Sequence, residues 1–129
     1  MADEQKPRVA ILGASSDRSK FGNKSVRAHL AAGYDVFPIH PTATSIEGLP
    51  AFASIRDVPR PLDRISVYLP PQRLLSLLPD IAAARPAEFY LNPGAESDEV
   101  IRAAEALGLR PILACSIVDI GLRPAQFPS

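Results

Sequence analysis

Five short apolar runs, Arg8–Leu12, Asp35–Ile39, Arg64–Leu69, Glu88–Leu91 and Arg110–Ala114, are separated for the most part by helical patterns. That alternation constrains the fold more than any other property of the chain. Strands nearly continuous in apolar residues belong to a parallel sheet covered on both faces, and each parallel connection needs a crossover, usually a helix. The first helix reads as Lys24–Ala32, with Val26, Leu30 and Ala31-Ala32 on one side and Gly33 as its stop. Pro71–Ala84 carries Leu74, Leu75, Leu77, Leu78 and Ile81, and Pro79 predicts a kink or break in it. Ser97–Leu107 carries Val100, Ile101, Ala104 and Leu107 and stops at Gly108. Ser97 is its expected N-cap, with Asp98 and Glu99 in the positive first turn. Ser54–Val58 reads as one helical turn inside a looser region, Pro41–Asp63, and the tail after Cys115 has no clear period. The predicted architecture is α/β, a Rossmann-like three-layer sandwich with a mostly parallel five-stranded sheet in the order 3-2-1-4-5. Pro38 resists this order, because an interior second strand has no place for a residue without N–H; a bulge or an early strand end is expected there.

The length of 129 residues predicts one domain, residues 1–129, and a 47% hydrophobic content supplies its core. Most of the 14 prolines, among them Pro41, Pro50, Pro59, Pro61, Pro70, Pro86 and Pro93, fall between periodic segments, as stiffened loops of a compact domain do. The net charge is zero and no basic run occurs, which argues against nucleic acid as a partner. Met1–Lys6 lacks an apolar signal region, and no apolar run approaches the ~18 residues of a membrane span. A cytoplasmic location without a membrane partner is expected. One cysteine and two histidines exclude an internal disulfide and a multi-cysteine zinc site, and make metal chemistry unexpected.

The candidate site starts where the first strand runs into Gly13-Ala14-Ser15-Ser16 and a helix opens near Phe21 and Gly22. A glycine lets the backbone approach a phosphate, and the N–H groups of the helix start face an anion. Ser15 and Ser16 offer hydroxyls, and Arg18, Lys20 and Lys24 offer charge; turn chemistry and a solvated surface are the plain alternatives. At the switch point the topology brings together Gly13–Phe21, His40–Thr44, Pro70-Pro71 and Asn92-Pro93-Gly94. A dinucleotide fingerprint would need a second glycine two residues on and an acid at the end of strand 2. The turn lacks that glycine, and Asp35 stands at the wrong end of its strand, whose carboxyl end is Ile39-His40-Pro41. A neutral or cationic His40 there favours a nucleotide with an extra ribose phosphate, NADP or coenzyme A. No catalytic constellation emerges. Cys115 follows the fifth strand, two strands from the switch point and so about 10 Å from the turn. It reads either as a thiol within reach of a pantetheine arm or as packing.

The ordered series Val-Ala-Ile-Leu-Gly-Ala-Ser-Ser, Ser25-Val26 with Leu30, and Gly33-Tyr34-Asp35-Val36-Phe37-Pro38-Ile39-His40-Pro41 resembles the small stand-alone CoA-binding-domain proteins. These are related to the nucleotide-binding domain of succinyl-CoA synthetase. The resemblance continues through Ile46-Glu47-Gly48, Ile55–Leu62, Val67-Tyr68-Leu69-Pro70-Pro71, Asn92-Pro93-Gly94 and Ala114-Cys115-Ser116. It implies a Rossmann-like fold that binds coenzyme A and tolerates Pro38. By this resemblance Gly13, Ala14 and Ser15 would receive the diphosphate, His40 and Pro41 would border the adenosine, and Leu69-Pro70 would form a wall. The chain departs from the family in having His40 where Asn is frequent, and Tyr90-Leu91-Asn92-Pro93-Gly94 where Trp-x-Gln-x-Gly is frequent. A non-catalytic module binding coenzyme A or an acyl-CoA leads. An NADP-linked enzyme or redox sensor, or a structural subunit with a degenerate pocket, stands as the alternative, and a homo-oligomer stays open.

Overall fold

All five runs form strands of one parallel sheet: β1 (Arg8–Leu12), β2 (Asp35–Ile39), then, after a two-stranded hairpin of β3 (Ser45–Ile46) and β4 (Leu49–Pro50), β5 (Arg64–Val67), β6 (Glu88–Leu91) and β7 (Pro111–Leu113). The helices are α1 (Phe21–Ala31), α2 (Pro71–Leu74), α3 (Leu78–Ala84), α4 (Asp98–Ala106) and α5 (Ser116–Asp119), with 3₁₀ turns at Ile55–Asp57, Leu75–Leu77 and Pro124–Gln126. This computed structural model describes residues 6–129. Met1–Gln5, most of the segment read above as lacking a signal region, lies outside the described residues.

The sheet order is β2-β1-β5-β6-β7. Outside β2, Phe52 pairs in parallel with Ile39, and counting it as the third strand makes the arrangement 3-2-1-4-5, with β7 added at the far margin. The Arg64–Leu69 run therefore takes the fourth place beside β1, not the third beside β2. The third place is held by one residue of the region that reads as loose. The Pro38 difficulty also dissolves. β2 continues in register from Asp35 to Ile39 without a bulge. The Pro38 carbonyl accepts from the Phe52 N–H at 2.9 Å. A strand residue directs its N–H and C=O to the same side, so the missing donor of Pro38 faces outward and β1 loses nothing.

Alternation along the strands builds two cores. Ala10, Leu12, Ile65, Val67, Phe89 and Leu91 pack with Leu74, Leu78 and Ile81 and with Val100 and Ala104 of α4. Val9, Ile11 and Val36 face the other way, toward Val26 of α1 and Ile46. Proline at residue 79 breaks its helix as expected, with the 3₁₀ turn Leu75–Leu77 between α2 and α3. Ser97 caps α4 by accepting from the Val100 N–H at 3.1 Å. α1 differs from its sequence reading: Leu30, Ala31 and Ala32 are exposed, and its buried side is Gly22, Asn23, Ser25, Val26, Ala28 and His29. Polar residues on that side are bonded internally, so the helix hides them at little cost.

The tail wraps the body through two arginines. Arg64, 3% exposed, donates to Glu88 Oε1 at 2.9 Å and to Asp119 Oδ2 at 2.6 Å, with its guanidinium 4.6 Å from the centre of the Tyr90 ring. Arg27 donates to the carbonyls of Phe127 and Pro128. No helix of the described residues is long and apolar enough to cross a membrane.

Candidate functional site

The chain grows to one side of β1 through β2 and to the other through β5. The carboxyl ends of neighbouring strands part at that reversal, where open α/β sheets carry their ligand crevices. A cleft of ≈ 520 Å³ opens there. Its floor is the first turn of the sequence. Gly13 has φ 85°, and a Cβ on it would sit 2.9 Å from the carbonyl carbon and oxygen of Tyr68. A Cβ on Gly22 would sit 2.1 Å from the Gly13 carbonyl oxygen. The turn is thus held between the chain leaving β5 and the first turn of α1, at two contacts that exclude any side chain. α1 has no acidic residue of its own in its first turn, and a carboxylate nearby, Glu47, accepts from the Asn23 side chain at 3.0 Å and pairs with Arg18 away from the cleft lining.

Local hydrogen bonds set the loop between them. Ser15 Oγ accepts from the Asp17 N–H at 3.0 Å, and the Ser15 carbonyl accepts from Asn23 Nδ2 at 2.8 Å. The Ser19 hydroxyl and N–H hold the Asp17 carboxyl below the usual carboxylate range. Across the cleft, His40 Nδ1 accepts from the N–H groups of Thr42 (3.1 Å) and Ala43 (2.9 Å). That places the ring proton on Nε2, and the imidazole offers a donor.

Of the residues read from sequence, Gly13, Ala14, Ser15, Lys20, His40, Pro41, Leu69 and Pro70 line one cleft. The others do not line it. Arg18 pairs with Glu47 at 3.4 Å, and Ser16, Phe21 and Gly94 are exposed elsewhere. Gly22 acts from behind the turn. Asn92 is buried, and its amide is used inside the protein. Nδ2 donates to Ser66 Oγ and the Val67 carbonyl at 2.8 Å each, and Oδ1 accepts from the Ser116 N–H at 2.9 Å. Ser116 Oγ in turn meets Tyr68 Oη at 3.1 Å, so Asn92 positions the cleft wall from beneath. Cys115 is half-buried and outside the lining. β7 is three strand spacings from β1, about 14 Å, not the two expected.

Sequence reading misses Tyr68, Ser54 and Arg73. Arg73 has a signal, since it stands two residues after Pro71 in the turn that the wall begins. Ser54 lies in the region that reads as loose. The lining contains no Asp or Glu, and its two cations, Lys20 and Arg73, are free of ion pairs among the described residues. Two unpaired cations without a carboxylate suit a ligand with more than one anionic group.

A Pyrococcus furiosus protein of solved structure is 30% identical with a TM-score of 0.77, over 90% of this chain and 99% of that one. A Thermus thermophilus structure is 31% identical with a TM-score of 0.77, over 88% and 87%. Acetyl-coenzyme A synthetase 1 of Ca. Korarchaeum cryptofilum is 27% identical with a TM-score of 0.70; the match takes in 84% of this chain and 26% of that one. Residues 7–121, from before β1 to beyond α5, match the family model of the CoA binding domain, and the chain belongs to that family.

Proposed function

We propose that the chain binds coenzyme A or an acyl-CoA in the cleft, as a binding or regulatory module without a reaction of its own. The observation that carries the reading is the Gly13 turn, compressed between Tyr68 and Gly22 at the start of α1, with Lys20 and Arg73 flanking and no carboxylate on the lining. The diphosphate lies on the turn N–H groups. His40 Nε2–H and Pro41 border the adenosine, with the phosphorylated ribose favoured by the lack of an acid at the end of β2. Leu69 and Pro70 pack on the apolar arm. The titratable side chains on the lining are Lys20, His40, Tyr68 and Arg73. Tyr68 is turned to Ser116, and burial pushes its hydroxyl above the usual phenol range. Nδ1 of His40 is occupied by the Thr42 and Ala43 N–H groups and no carboxylate lines the cleft, which supports a binding role.

Calorimetry and thermal shift with coenzyme A, dephospho-CoA, NADP and NAD test the reading. Coenzyme A at about 100 times its Kd should add ~2.7 kcal/mol, roughly 10 °C in Tm. Dephospho-CoA should bind more weakly, and Lys20→Met and Arg73→Met should each lose roughly 5- to 10-fold in affinity, or about 1 kcal/mol. Tighter binding of NADP or NAD than of coenzyme A, or no binding of any, refutes it. Release of free thiol from acetyl-CoA by the protein would refute the non-catalytic part.

A further inference from the structure

The hairpin β3–β4 stands outside the main sheet, with two residues in each strand. It lies behind the Gly13 turn: Ile46 is buried in one cluster with Ala14 of the turn and Val26 of α1. Its loop is Glu47-Gly48, with φ 50° and 76°. A two-residue loop with both φ values positive is a type I′ turn, which Asn-Gly and Gly-Gly fit without strain. Glutamate at the first position is held in a left-handed conformation that its Cβ disfavours. Strain of this kind directs attention to the work of the side chain. The Glu47 carboxylate leaves the hairpin and reaches the segment that joins the Gly13 turn to α1. Its Oε2 accepts from Asn23 Nδ2 at 3.0 Å and meets Arg18 Nε at 3.4 Å. Asn23 is fully buried, and the same Nδ2 donates to the Ser15 carbonyl at 2.8 Å. One carboxylate oxygen therefore holds the segment at two points, at Ser15 through Asn23 and at Arg18 directly. Lys20, the cation that this segment brings to the cleft lining, follows two residues later.

We propose that Glu47 is a positioning residue, which fixes the Ser15–Lys20 segment in its ligand-ready form without touching the ligand. This rests on the coenzyme A reading of the cleft. A carboxylate close to an anion site opposes binding by its charge, so its place there is explained by geometry and not by charge. Glu47 is absent from the lining, and the two donors on its Oε2 come from the segment itself and from α1. A segment ordered before the ligand arrives spares binding the entropy of ordering it. Charge and geometry act with opposite signs at this one residue, and two substitutions separate them. Gln keeps the length and the accepting oxygen and loses the charge. Asn, the residue that this turn favours, is a methylene too short to reach Asn23 and Arg18.

Two measurements on the full chain test the proposal. The first is hydrogen exchange without ligand, read by NMR at the Asp17, Ser19 and Lys20 N–H groups, which are bonded within the segment. The second is calorimetry with coenzyme A. Glu47→Asn should exchange these protons roughly tenfold faster and bind coenzyme A roughly tenfold more weakly, with a urea midpoint close to that of the wild type. Glu47→Gln should keep the wild-type exchange rates and bind coenzyme A as tightly as the wild type or more tightly. Unchanged exchange in Glu47→Asn overturns the proposal. So does tighter binding in both variants, the signature of a carboxylate that acts through charge alone. A fall in the urea midpoint of Glu47→Asn, with exchange accelerated throughout the chain, overturns it too, since Glu47 would then serve the stability of the whole fold. A wild type that binds no coenzyme A refutes the reading of the cleft instead, and the exchange rates, measured without ligand, then decide the hold on the segment by themselves.

Discussion

Gly13 and Gly108 form a matched pair for testing the cleft. Both have φ 85°, so alanine at either meets the same left-handed strain, about 1–2 kcal/mol. They differ in surroundings. A Cβ on Gly108 meets nothing within 4 Å, whereas one on Gly13 meets the Tyr68 backbone at 2.9 Å. Neither a carbonyl carbon nor a carbonyl oxygen can rotate away, so Gly13→Ala must spread the turn from the chain leaving β5. Overpacking of this kind adds about 1–3 kcal/mol, for a total near 2–5 kcal/mol. A chain of 129 residues has roughly 6–19 kcal/mol of stability in hand, so both variants fold at room temperature. The expected results are a loss of about 1–2 kcal/mol in Gly108→Ala with coenzyme A affinity unchanged, and a larger loss in Gly13→Ala with affinity at least tenfold weaker. Urea titration gives the first quantity and calorimetry the second. Equal affinities in the two variants would refute the view that the compressed turn holds the ligand, and equal stabilities would refute the clash itself.

Two further outcomes follow from buried polar groups. His29 is held at about 4, below its ordinary 6.5, first by burial. Between those values the unfolded chain takes up a proton that the folded chain refuses, so stability falls with pH across that window, by about 3 kcal/mol from this residue; urea midpoints between pH 7 and pH 4 should fall accordingly, and a His29→Gln chain with an undiminished slope would show that the cause lies elsewhere. Asn92→Leu strips the acceptor from the Ser116 N–H and a donor from Ser66 and should cost about 3 kcal/mol in a urea titration, against well under 1 kcal/mol if the amide were an ornament of the ligand edge.

The strands and the phosphate turn were legible because both are local. Apolar runs of four to six residues state a buried strand, and Val-Ala-Ile-Leu-Gly states where the first one ends. Phe52 was not legible, because a strand of one residue has no period; its identity depends on the edge of β2 being open beside it. Pro38 looked like an obstacle for the same reason, since the harmless direction of its nitrogen depends on which neighbour lies there. Asn92 stands in the right loop, yet its amide turns inward to the Ser66 hydroxyl and the Ser116 N–H, a choice made by groups 26 and 24 residues away. Arg73 reaches the lining only because Pro71 starts a helix at the rim. The sequence left out partnership across elements, together with the short elements that such partnership creates: Phe52, the β3–β4 hairpin and α5.

Arg27 decides where this molecule can be altered. One guanidinium holds three carbonyls, those of Arg18, Phe127 and Pro128, and its Nε donates to Asn23 Oδ1 at 2.7 Å. Asn23 in turn holds the carbonyl of Ser15. A side chain of α1 therefore fastens the last residues to the loop that forms the floor of the cleft. An affinity tag or fluorophore appended after Ser129 enters the molecule beside that loop, and trimming Phe127 and Pro128 leaves the guanidinium to rearrange. Pro7, by contrast, precedes β1 at the opposite edge of the sheet. Handles for purification and surface immobilisation belong at that end.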